Sequence, residues 1–152
     1  MSSGDTPQPI SLPAHLYMPP DGLAFDYTAY IPLPAPAPAN GAVVQFTVPE
    51  GFHGVIKRVG NVFVGAGWTE GSGSLVWEIL ANGGVIRNYD NILASLGAVS
   101  NPAETAGILI YEQQVVTLQV FNVNLAVGGA QAGGRLSGWF YPKWRAIEDG
   151  IW

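Results

Sequence analysis

Downstream of Ala42 the chain reads as short runs of alternating apolar and polar residues, punctuated by Gly, Asn and Pro, the period-two pattern of half-buried β-strands. Val43 to Val48 predicts the first strand, with Val44, Phe46 and Val48 on one face and Val43, Gln45 and Thr47 on the other; Pro49-Glu-Gly51 ends it. Phe52 to Val64 predicts a long strand bent at Gly60, and Leu75 to Leu80 another, with Glu78 on its outer face. Asn82-Gly83-Gly84 predicts a tight hairpin turn, because Asn and Gly tolerate positive φ, and Val85 to Tyr89 returns beside it. Asp90 to Leu96 fits either a short helical turn or a strand, and Gly97 to Gly107 reads as a loop. Ile108 to Tyr111 and Val115 to Val123 are strands, the second with Val116, Leu118 and Val120 opposed to Thr117, Gln119 and Phe121. Gly128 to Gly134 reads as an open loop, and Arg135 to Tyr141 as the last strand, closed by Pro142. About eight strands at this spacing, with no helix of three turns, predict an all-β, jelly-roll-like antiparallel sandwich over residues 42–143.

The pattern upstream is different. Nine of the twelve prolines lie within the first 38 residues, ending in Pro32-Leu-Pro-Ala-Pro-Ala-Pro38, and no Lys or Arg precedes Lys57. Proline fixes φ and removes a donor, so residues 1–41 read as an extended proline-rich arm. Its anchors are Leu16, Tyr17, Met18, Leu23, Phe25, Tyr27, Tyr30 and Ile31, which an unattached linker would not keep. Two outcomes are open: the arm docks on a partner, or it covers a sheet edge of its own domain. The tail, 144–152, carries Trp144 and Trp152, which either close the base of their own sandwich or insert into a neighbour.

Composition narrows the function classes. Of the 152 residues 48% are hydrophobic and only 11% charged, less than half the roughly 25% of an average soluble protein. No apolar run reaches the roughly 18 residues of a spanning helix, so the expectation is a soluble chain that hides weakly polar surface against partner subunits. The N-terminus lacks the basic start and apolar core of a secretory signal, which predicts synthesis in a cytoplasm. Net charge is −5 and the six Lys and Arg are scattered, which argues against nucleic acid as a partner. The absence of cysteine excludes disulfides and thiol chemistry.

Candidate chemistry is sparse, and no catalysis or cofactor is expected. His15 and His53 are the only imidazoles, and no nucleophile elbow accompanies them. Glu78 and Glu112 have the residue type of a glycosidase pair without placement to recommend it. Asn88-Tyr-Asp-Asn91 offers oxygen ligands, but at a spacing that reads as a turn. The glycine clusters near 65–73 and 128–134 lack a P-loop ending. The aromatics Trp68, Trp77, Tyr89, Trp139 and Tyr141 are of the type that stacks on sugar rings; only Trp68, in the glycine loop, is placed like a sugar platform, and a glycan site predicts an exposed cluster around Trp68 and Tyr89.

The segments Phe46-Thr-Val-Pro-Glu-Gly-Phe52, Val55-Ile-Lys-Arg-Val-Gly60, Trp77-Glu-Ile-Leu-Ala-Asn-Gly83, Val116-Thr-Leu-Gln-Val-Phe-Asn122 and Leu136-Ser-Gly-Trp-Phe-Tyr-Pro142 resemble, in order, those of small jelly-roll proteins of tailed-phage virions. That resemblance implies a capsid decoration or cement protein, commonly trimeric, bound to the major capsid protein on the outer shell, with terminal segments reaching over neighbours. The interface residues then expected are Leu16, Tyr17, Leu23, Phe25, Tyr27 and Tyr30 of the arm, with Trp144 and Trp152 of the tail. The alternative is a carbohydrate- or receptor-binding head of a tail fibre, or another tail or neck component, using Trp68 and Tyr89.

Overall fold

The structure, a computed structural model, describes residues 13–36, 39–126 and 128–148, with side chains as far as Arg145. The strands are β1 (Leu23–Pro32), β2 (Ala39–Thr47), β3 (Phe52–Val64), β4 (Leu75–Ala81), β5 (Gly84–Val85), β6 (Ala103–Ile110), β7 (Val115–Asn122) and β8 (Gln131–Pro142), followed by a short helix α1 (Lys143–Glu148). They form a β-sandwich of two four-stranded antiparallel sheets. Sheet A has the order β1-β8-β3-β6 and sheet B the order β2-β7-β4-β5.

The pairings follow one rule. β1 pairs with β8, β2 with β7, β3 with β6 and β4 with β5, so the chain doubles back on itself as one long ribbon, wound over two layers. The hinge of that ribbon is the two-residue turn Asn82-Gly83, whose φ angles of 50° and 79° are those of the hairpin turn expected there.

The core lies between the sheets. Leu75, Trp77 and Ile79 from β4 and Val116, Leu118 and Val120 from β7 are fully buried, as their alternation predicts, and Ile56, Val59, Leu136 and Phe140 meet them from sheet A. Burying each such aliphatic side chain contributes about 1.5–3 kcal/mol. β2 departs from simple alternation because a bulge between Ala42 and Val44 shifts the register, and both Val43 and Val44 turn inward. In β3 the irregularity lies between Ile56 and Arg58, three residues before the bend expected at Gly60.

Three sequence readings are corrected. The arm does not extend to residue 41: Leu23–Pro32 is an edge strand of sheet A paired along its whole length with β8, and β2 begins at Ala39. Proline is compatible with an edge, where one side of the backbone needs no partner, and Pro32 occupies the strand end, with Pro34 and Pro36 in the segment that follows it. Second, Gly133 and Gly134 belong to β8 rather than to a loop. The Tyr30 ring lies over Gly133, and the space a Gly134 side chain would take is filled by Leu118 Cδ2, 2.6 Å away. An aromatic covering an in-strand glycine restores the packing that the glycine lacks. Third, the segment 97–107 is half strand, since β6 starts at Ala103.

The long connection before β6 is neither helix nor full strand. A 3-10 turn at Arg87–Tyr89 is followed by a single bridge from Trp77 to Ile92. The buried Asn61 then holds the connection with both ends of its amide, donating to Ala94 O at 3.1 Å and accepting from Leu96 N at 2.7 Å.

Candidate functional site

The segment preceding β1 lies across the outer face of sheet A. Pro13 O accepts hydrogen bonds from Leu16 N at 3.0 Å and Tyr17 N at 3.1 Å, closing one helical turn. This turn presses Ala14, only 1% exposed, onto Trp139 and Tyr141. The Trp139 indole N–H donates to Ala14 O at 2.7 Å, a bond spanning 125 residues of sequence. Tyr141 and Val55, on the outward side of β8 and β3, are buried although no sheet lies beyond them. The arm thus covers its own domain, the second of the two outcomes open to it.

Charged latches fix the periphery of this cover. Arg135 grips Asp26 on β1 with two hydrogen bonds, 2.8 and 2.6 Å long, and donates a third to Val99 O at 2.8 Å, tying the 97–102 loop to sheet A. That bidentate bond holds the Asp26 carboxyl below its ordinary pKa and raises that of Arg135. Arg145 of α1 donates to Asp21 at 2.8 Å and lies 4.6 Å over the Trp144 ring, so the turn before β1 and the start of α1 share one end of the molecule.

A second latch gathers the β2–β3 and β6–β7 turns. Glu112 accepts from Gly51 N at 2.6 Å and pairs with Lys143 at 3.2 Å, while its own N–H donates to His53 Nδ1 at 3.0 Å. The bond from Gly51 N, followed by Lys143, depresses the Glu112 pKa. Burial, the largest influence on His53, lowers its pKa against the pull of Glu112. His53, at the start of β3, therefore serves as a hydrogen-bond acceptor for the β6–β7 turn. His15 sits in the arm, and its buried Nδ1 has no hydrogen-bond partner among the described residues.

The interface residues expected from sequence divide. Leu16, Tyr17 and Leu23 are about half exposed, Tyr17 most at 56%, and Trp144 at 49% stands with them at the same end, joined by Met18. Tyr27 and Tyr30 are exposed along the edge strand. Phe25 is corrected: it is 7% exposed and stacks on Phe140 at 4.6 Å and against Phe46 at 5.0 Å, because β1 points it between the sheets. Trp152 lies outside the described residues.

Trp68 and Tyr89 are corrected as an exposed sugar platform. Trp68 packs edge-on against the buried Trp77 at 5.2 Å and beside Phe63 at 5.7 Å, and Tyr89 also leans on the core. The loop glycines that would free Trp68 instead let it fold back. Glu78 and Glu112 share no partner: Glu78 accepts from Gln119 on the outer face of sheet B, and Glu112 belongs to the Lys143 latch. Among the described residues no three His, Asp or Glu gather as a metal site, and no helix is long and apolar enough to cross a membrane.

Sequence reasoning missed the strap made by Ala14 and Trp139. No local pattern could reveal it, because a buried alanine in a proline-rich segment looks like any other. No family model matches the chain, and no curated protein matches it.

Proposed function

We propose that this chain is a structural virion protein, a capsid decoration or cement protein that assembles as an oligomer, commonly a trimer, and binds the major capsid protein on the outer shell. The strand order 1-8-3-6 and 2-7-4-5 supports reading the sandwich as a jelly roll, two Greek keys made from one doubled ribbon. The observation that carries the functional reading is the set of half-exposed apolar side chains at one end, Leu16, Tyr17, Met18, Leu23 and Trp144. Such a set, on a chain with only 11% charged residues, is costly to leave in water and suits a subunit contact. Virion localisation follows from that reading, and no catalytic step, cofactor or nucleic acid enters it.

The test compares the full chain with the triple variant Tyr17→Ser, Met18→Ser, Trp144→Ser, which leaves the Ala14–Trp139 bond intact. The full chain should have an oligomeric mass by light scattering and cosediment with undecorated phage shells. The variant should be folded, monomeric and unbound. A wild-type chain that is monomeric and ignores shells would overturn the proposal.

A further inference from the structure

The outer face of sheet B carries an open groove of about 540 Å³, the size of a small-ligand site. It has a composition unlike the rest of the surface. Its polar lining is Asn40, Gln45, Asn82, Thr117 and Gln119, with Glu78 beside Gln119 and no Lys, Arg or His. These residues stand in rows across the strands: Ala42, Gln119 and Glu78 in one, Gln45, Thr117 and Leu80 in the next. Ala42 is the small member, and its missing bulk leaves a hollow beside the Gln119 amide.

The amides are held in place and still have capacity to spare. Gln45 Nε2 donates to Thr117 Oγ1 at 3.0 Å, Gln119 Nε2 donates to Glu78 Oε2 at 3.0 Å, and Asn82 Oδ1 accepts from Val115 N at 2.8 Å. Each amide has two donor hydrogens and a two-lone-pair oxygen, so each bond uses only part of what the group offers. Among the described residues the Asn40 amide has no hydrogen-bond partner at all. Fixed rotamers with unused donors and acceptors reduce the ordering cost of binding.

The geometry points to a binding groove for a neutral oligosaccharide. Sugar hydroxyls are both donors and acceptors, as the amide and Thr117 hydroxyl lining requires, and their C–H faces fit the apolar side chains of Leu80 and Val115. A phosphate, sulfate or uronic acid finds no cation there and meets the Glu78 carboxylate. An acyl chain would strand the amides without partners. An open groove on a sheet face takes a chain laid across it. The inference does not rest on the assembly reading, since it concerns the isolated chain and the face opposite the arm.

The test uses the ¹⁵N-labelled full chain and follows the side-chain amide signals of Asn40, Gln45, Asn82 and Gln119 during titration with short neutral glucans, mannans, galactans and chitin oligomers, and with oligogalacturonate. At least one neutral series should shift these signals saturably with a Kd of about 1 mM or tighter, and oligogalacturonate should not. Gln119→Ala should weaken binding about tenfold or more with the backbone spectrum unchanged. Glu78→Gln should keep neutral binding and admit the acidic sugar. Silence from every neutral series at about 10 mM, saturable shifts confined to other residues, or undiminished binding by Gln119→Ala would overturn the proposal. Loss of shell binding in the assembly test would leave it untouched.

Discussion

The two outer faces of this sandwich are treated in opposite ways. On sheet A the chain covers itself: a turn at 13–17 buries Tyr141 and packs on the partly buried Trp139, and ion pairs from Arg135 to Asp26 and from Arg58 to Glu104 bracket the strands. On sheet B nothing is laid across β2, β7 and β4 among the described residues, and amides replace ion pairs. Both faces begin from the same alternation of strand residues. They differ in what the outward positions carry: β8 presents Trp139 and Tyr141, which lie under a cover, whereas β2 and β7 present Gln45, Thr117 and Gln119 in the open. An outward tryptophan in a sheet thus predicts a covering segment, and an outward glutamine row predicts an open face.

Substitutions should reproduce that asymmetry. The largest effect is expected at Gly138 in sheet A, where an added Cβ would overlap the Val55 carbonyl oxygen. Gly138→Ala should cost about 3 kcal/mol, read as a lowered urea midpoint with an unchanged slope. Trp139→Phe keeps most of the ring but removes the indole N–H that donates to the Ala14 carbonyl. It should cost about 1–2 kcal/mol and speed hydrogen exchange at Leu16 and Tyr17, the amides that close the turn. Equal exchange in wild type and variant would mean that the strap does not depend on that bond.

A smaller effect is expected from pH, and it should arise at the latch that ends sheet A. The folded-state pKa of His53 is lowered, so the unfolded chain takes up its proton first as pH falls below about 6.5. Stability should therefore decline from pH 7 toward the lowered value, and His53→Gln should flatten this slope in a thermal-melt series. Asp26 and Glu112 act in the next window: both are depressed below 3.8 and 4.5, respectively, so their contribution is present above those values and lost as acid protonates them. The smallest effect belongs to sheet B. Gln45→Ala and Gln119→Ala should stay within about 0.5 kcal/mol of wild type, and a larger loss would show that the amide rows act as structural ties.

Much of the sandwich was legible because its signals are local. Val116, Leu118 and Val120 face one way since strand periodicity allows nothing else, and the Asn82-Gly83 turn follows from the conformational freedom of those two residues. The outward Gln45, Thr117 and Gln119 could be assigned by the same alternation, though not their meeting in one groove, which depends on strand order. What was hidden is non-local. β1 was obscured because proline content argued for an arm, while its pairing with β8 is fixed by residues about a hundred positions away. Gly133 looked like loop punctuation until Tyr30 was seen above it. Phe25 and Trp68 read as contact residues because an aromatic in a proline-rich or glycine-rich stretch carries no mark of which way it points.

The pairing of the first strand with the last sets a timetable for synthesis. Leu23 has Phe140 as its partner, so β1 leaves the ribosome with no strand to join until 117 further residues have been made. At roughly 5–20 residues per second that is a wait of about 6 s or more. During it the edge of β1 and the rings of Phe25 and Tyr27 are open to other nascent chains. The prolines that flank this strand can then be understood as guards, which keep the waiting segment from pairing with the wrong edge before β8 arrives.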